Sequence, residues 1–195
     1  LTHNNQVGKV TYFVRANMSV AKNKILFMDE ENKPYDYQRL TGHPIGQLFG
    51  LTAIGFFADE EDIKNSPTQF GNLIPGDIKY KDLNGDKVID ANDEGPIGHT
   101  EVPEIFYGIS GGVNWKNFDL SFLFQGAGNF NVMFSDQAAY EFVDNGNLMP
   151  EHLGRWTLAT ANTATYPVLH HGFNVNNHRP STFFMKNAAY LRLKN

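Results

Sequence analysis

A chain of 195 residues that is 41% hydrophobic and 19% charged is too apolar for a disordered segment and long enough for one sizeable domain or a slice of a larger one. Sixteen Lys and Arg against 21 Asp and Glu leave a net charge of -5, so no basic field exists to draw a phosphate backbone and nucleic acid is excluded as a partner. The absence of cysteine removes disulfides, thiolate metal sites and cysteine nucleophiles together.

With 16 Phe, 8 Tyr and 18 Gly, the chain reads as mainly β, strands joined by turns. Leu1 to Gly8 lacks the basic, apolar, then small order of a signal peptide. From Gly8 to Val20 the even positions Val10, Tyr12, Val14, Ala16, Met18 and Val20 oppose Lys9, Thr11, Phe13, Arg15, Asn17 and Ser19. This predicts a strand with one apolar and one polar face, broken only by Phe13. A long segment follows, rich in Gly, Pro, Asn and charge, in which Gln47 to Phe57 reads as a further strand pair or edge. A second alternating run, Tyr107 to Trp115, and a third, Phe118 to Gly126, are separated only around Lys116 and Asn117 and predict a tight antiparallel hairpin. After another long segment, with short helices expected over Gln137 to Val143 and Pro150 to Trp156, Ala189 to Lys194 alternates once more.

No run reaches the ~18 to 20 apolar residues of a membrane helix, but a membrane β-strand requires only about 9 to 11 alternating residues. Strands with one apolar face fit both a soluble sandwich, where that face meets the core, and an outer-membrane barrel, where it meets lipid. Two details favour the barrel: the first run exceeds the usual strand length of about 5 to 6 residues, and short turns at one end against long loops at the other is the asymmetry of such barrels.

The strongest ligand pattern is the loop 82 to 93. Counting from Asp82, oxygen ligands fall at Asp82, Asn84, Asp86, the Val88 carbonyl, Asp90 and Asp93, the spacing of a calcium loop, and Ca2+ takes six to eight oxygens. Two positions depart from it: Lys87 stands where glycine makes the sharp turn, and Asp93 is shorter than the usual bidentate Glu. The competing reading is a solvated acidic turn. Gly108 to Gly112 matches Gly-x-Ser-x-Gly in letters, but a nucleophile elbow needs a helix after the serine and here the strand continues. His170, His171 and His178 lie in a Gly/Asn-rich loop without helical spacing and read as loop residues. The carboxylate pairs Asp29 with Glu30 and Glu60 with Glu61 read as solvated charges. Trp115, Phe118, Phe122 and Phe124 gather about the tight turn, as an interfacial girdle, a sugar-stacking surface or a core.

Several segments together resemble one family. Val7 to Ile25 (VGKVTYFVRANMSVAKNKI), Pro75 to Gly98 (PGDIKYKDLNGDKVIDANDEGPIG), Pro103 to Gly126 (PEIFYGISGGVNWKNFDLSFLFQG) and Asn187 to Asn195 (NAAYLRLKN) are similar, in that order, to blocks of the SusC-like TonB-dependent outer-membrane transporters. The resemblance implies that residues 1–195 belong to the C-terminal part of a transmembrane β-barrel. About four spanning strands would alternate with extracellular loop regions 25–104, containing the calcium-like segment 82–93, and 129–187. It implies import of oligosaccharide or peptide across the outer membrane of a Gram-negative bacterium, without enzymatic chemistry or an organic cofactor. The partners it implies are a SusD-like surface lipoprotein, the lipid bilayer, and a TonB complex engaged through parts absent from this chain. The alternative reading is a soluble, Ca2+-stabilised β-sandwich that binds carbohydrate.

Overall fold

A computed structural model describes residues 1–194. In chain order its strands begin with β1 (Thr2–Val7) and β2 (Val10–Val20), followed by β3 (Phe49–Gly50), β4 (Ala53–Phe56), β5 (Ile78–Tyr80) and β6 (Gly95–Pro96). Then come the long strands β7 (Ile105–Trp115) and β8 (Phe118–Gly128), and finally β9 (Asn131–Met133), β10 (Met185–Asn187) and β11 (Tyr190–Leu193). One antiparallel sheet takes the order β1-β2-β7-β8-β11. The alternating runs thus become neighbours.

Register keeps each face continuous across the sheet. Val10 lies opposite Trp115 and Val20 opposite Ile105, while Val113 faces Leu120 and Ile109 faces Phe124; the apolar positions of three strands therefore form one surface. Phe13, the exception on the polar face, lies opposite Gly112, and a Cβ added there would run into its ring. On the apolar face Gly111 is covered in the same way by Phe122. A glycine beneath an aromatic ring on the neighbouring strand lets the ring lie flat over the backbone.

The sheet has a fifth strand that alternation did not announce. In β1, Thr2, Asn4 and Gln6 share one face and His3 and Asn5 the other, so polarity does not alternate, and only the ladder to β2 defines the strand. Both tight turns, Gly8-Lys9 and Lys116-Asn117, close the same end of the sheet. Gly8 (φ +63°) and Lys116 (φ +53°) supply the left-handed backbone that two-residue hairpins demand. The long connections 21–104 and 129–189 both leave from the opposite end.

The buried core lies in those connections. Leu51, Ile78, Tyr80, Ile89, Ala139, Tyr140, Val143, Tyr166 and Phe184 pack together, none of them from the five-stranded sheet. The apolar surface of that sheet stays open: Met18 is 67% exposed, Phe118 74%, Leu120 69% and Leu191 61%. Among the described residues no helix is long and apolar enough to cross a membrane.

Several local expectations change. Gln47 to Phe57 does hold two strands, but β3 pairs with β6 and β4 with β5 rather than with each other. The expected short helices are 3-10 turns at Asp136–Ala138 and Pro150–Gly154. Glu60 and Glu61 open a helix, α1 (Glu60–Asn65), whose first turn is acidic and whose N-cap Asp59 accepts from the Asp62 amide. Glu30 is not merely solvated: its carboxylate accepts from the amides of Leu40 and Thr41 at 2.8 and 3.0 Å. Those contacts with the Thr41 side chain and the two amides hold its carboxyl below the usual range.

Candidate functional site

The two long connections meet along a polar seam. Three backbone groups of β5 are satisfied there by side-chain amides rather than by a further strand. Ile78 N–H donates to Asn177 Oδ1 (2.9 Å) and Tyr80 N–H to Gln69 Oε1 (2.7 Å), while the Ile78 carbonyl accepts from Gln69 and Asn176 (2.8 and 2.9 Å). Asn177 also donates to Asp77 Oδ1 at 2.9 Å, and Gln69 donates to Asn176 Oδ1 at 2.9 Å. Asn176, Asn177 and Asp77 are buried, so nearly every donor and acceptor they carry must be paired, and these contacts do it.

Beside this seam sits a buried carboxylate. Glu141 is 0% exposed, and it accepts from the Tyr166 hydroxyl (2.8 Å), the His178 ring (3.1 Å) and the His170 amide (2.9 Å). His178 Nδ1 accepts from the Asn174 amide at 3.0 Å, so the ring proton sits on Nε2 and points at Glu141. Tyr140 stacks on that ring at 4.5 Å. A second pair crosses between the connections, His170 Nε2 to Asp77 Oδ1 at 2.6 Å. Burial, followed by the nearby Glu141 charge, pushes the Tyr166 hydroxyl far up, which keeps it a donor. His170 and His178, two of the histidines read as loop residues, are therefore structural hydrogen-bonding groups. An isolated "NVNNH" run offers no sign of this, because its partners lie about 37 to 107 residues away in sequence.

The loop 82–93 places its predicted ligands as turn caps. Asp82 accepts from the Gly85 and Lys87 amides (2.6 and 2.9 Å), Asp86 from Val88 N–H (2.8 Å) and Asn84 from Asp86 N–H (3.0 Å). Asp90 caps Asn92, and buried Asp93 accepts from Asp90 and Leu83. Lys87 takes φ +66°, the left-handed conformation expected for a residue in the glycine position. Among the described residues no three His, Asp or Glu side chains gather as a metal-binding group. Ser110 lies inside unbroken β7, laddered to both β2 and β8, so the strand-turn-helix geometry of a nucleophile elbow is absent there. At the tight-turn end Trp115 stacks on Phe118 at 6.5 Å, with Lys116 over the Trp115 ring at 5.0 Å. At the loop end an open cleft of about 410 Å³ is lined by Phe134, Met149, His152, Tyr166, Phe183 and Lys186, among others.

No protein-family model matches the chain. Two curated proteins of Formosa agariphila do. The chain is 25% identical over 189 residues to TonB-dependent receptor P26, covering 91% of this chain and 19% of that protein. It is 25% identical over 159 residues to TonB-dependent receptor P3, covering 79% and 15%. Among solved structures, the RagAB peptide importer in its open-open state superposes with a TM-score of 0.65 at 20% identity, covering 99% of this chain and 20% of the importer chain. Its closed-closed state gives 0.59 at 18% identity. These sequence relatives and fold neighbours support the resemblance to SusC-like TonB-dependent receptors.

The chain spans 19% and 15% of the length of the two curated relatives it matches. The superposition on the importer chain covers 99% of this chain, and so takes in β1, which sequence alternation missed. Sequence and structural matches both run through the interlocked connections as well as the strands, because each covers over nine-tenths of the chain.

Proposed function

We propose that the five-stranded sheet is wall, and the two interlocked connections are outer surface, in the transmembrane barrel of a nutrient importer of the outer membrane of a Gram-negative bacterium. The observation that carries this is the open apolar face: one surface of the sheet is apolar and solvent-exposed while the core sits in the connections. A soluble sandwich needs its apolar face covered by a second layer, and the described residues outside the sheet build their own core instead. In a bilayer the same face meets lipid, and the Trp115 and Phe118 end lies at an interface.

By this reading the segment performs no covalent chemistry. The whole receptor moves glycans or peptides, taking energy from a TonB complex and meeting a SusD-like lipoprotein at its loop end; that RagAB is a peptide importer supports the transport class. Fractionating the source cells and probing for Pro75 to Gly98 tests it. An outer-membrane band several times larger than this chain, whose mobility changes on boiling, is expected. A soluble band of the size of 195 residues would overturn it in favour of the sandwich.

On its spacing, loop 82–93 is proposed to hold one Ca2+ at Asp82, Asn84, Asp86, Val88, Asp90 and Asp93. The amide caps do not exhaust these ligands, because each carboxylate oxygen that accepts from a backbone N–H keeps a second lone pair. Calorimetric titration of the intact receptor with Ca2+ is expected to give heat that Asp82→Ala and Asp86→Ala each abolish. Equal heat in both variants, or none in the wild type, removes the site.

A further inference from the structure

We infer that the two outer connections, 21–104 and 129–189, open and close as one body, latched by the asparagine pair Asn176 and Asn177. Neither connection closes its own structure. The backbone of β5, in the first, depends on amide side chains from the second. The second returns along the first as a short parallel contact: Leu51 N–H donates to the Pro180 carbonyl and Thr182 N–H to the Leu51 carbonyl, both at 3.0 Å. Ala53 N–H then donates to Thr182 Oγ1 at 2.9 Å.

Further contacts lie on the same line. Val168 N–H donates to the Gly76 carbonyl at 2.9 Å. Gly76 (φ +93°) packs so closely on the Trp156 ring that a Cβ there would sit 2.5 Å from it, and the Arg179 guanidinium lies 3.4 Å over the Phe70 ring. Parting the connections would strand together Ile78 N–H, the Tyr80 hydroxyl, which donates to the Asn176 carbonyl at 3.0 Å, and the side chains of Asn176, Asn177 and Asp77. Buried polar groups that lose their partners at once must open as a single cooperative unit. Movement of either connection is therefore carried to the other.

The geometry stands without the importer reading, whereas its consequence for transport rests on it, so two measurements are needed. Hydrogen exchange of the intact receptor in detergent is expected to show residues 76–80 and 176–182 opening together. Asn177→Ala should speed both by about tenfold or more and leave the β7–β8 ladder unchanged. Faster exchange confined to 174–182, or none at all, overturns the latch whatever the protein transports. In cells, a disulfide between Ala53→Cys and Thr182→Cys ties the connections at the seam. Uptake that is equal in the oxidised and reduced receptor is expected; uptake lost on oxidation and restored by reductant would show that the connections must part.

Discussion

Replacing Glu141 by alanine is expected to unfold the second connection while leaving the sheet standing. The carboxylate takes hydrogen bonds from Tyr166, His170 and His178 and is fully buried. Its removal leaves three donors without an acceptor in a dry site, each stranded group costing about 1 to 3 kcal/mol. Tryptic cleavage at Arg155 and Arg179 reports it: slow in the wild type, fast in Glu141→Ala, with the strand segments still protected in detergent. Unchanged cleavage would mean that the three donors find other acceptors.

Acid should act on the same group. Burial pushes the Glu141 carboxyl up, but the His178 N–H and the His170 amide pull harder and hold it below the ordinary range. Its folded value thus lies below the unfolded value of about 4.3. The ionised group contributes its stability above that unfolded value, and the contribution is lost as pH falls through the folded one. Resistance to proteolysis should therefore be flat from neutral pH down to about pH 5 and decline below about pH 4, with the decline weakened in Glu141→Gln. An equal decline in Glu141→Gln would show that this carboxyl is not the group responsible.

The second large effect tests which face of the sheet meets lipid. Ile109 is 45% exposed and sits between Ala16 and Phe124 on the apolar face; Ser110, the next residue, lies opposite Arg15 on the polar face. In a bilayer Ile109→Arg should cost about 2 to 4 kcal/mol near the midplane and abolish the heat-modifiable outer-membrane form. Ser110→Glu puts a charge at the same depth but opposite a guanidinium, and should assemble like the wild type. If both assemble, or both fail, the apolar face is not the lipid face.

Strands and their faces were legible because period-2 alternation is local: β2, β7 and β8 each carry it in their own residues. The hairpin at Lys116-Asn117 was legible because a two-residue gap leaves no other pairing. By contrast β1 has polar residues on both faces and takes its conformation from β2. The Glu141 cluster was invisible for a related reason. Asp77, Glu141, His170, Asn177 and His178 are ordinary loop residues until residues up to about 100 positions apart are brought together.

The sequence by itself determined the mainly β character, the two-faced strands, the tight turn and, through blocks such as Pro75 to Gly98, the resemblance to one family. Only the tertiary structure decided that the two long connections form one interlocked body with its own core, and that the apolar face of the sheet stays outside that core. The division follows range. A strand's alternation is written in neighbours a few residues apart, whereas a buried amide such as Asn177 is satisfied by Asp77 and Ile78, 100 and 99 residues earlier. That pairing exists only once the chain has folded back on itself and excluded the water that would otherwise compete for it.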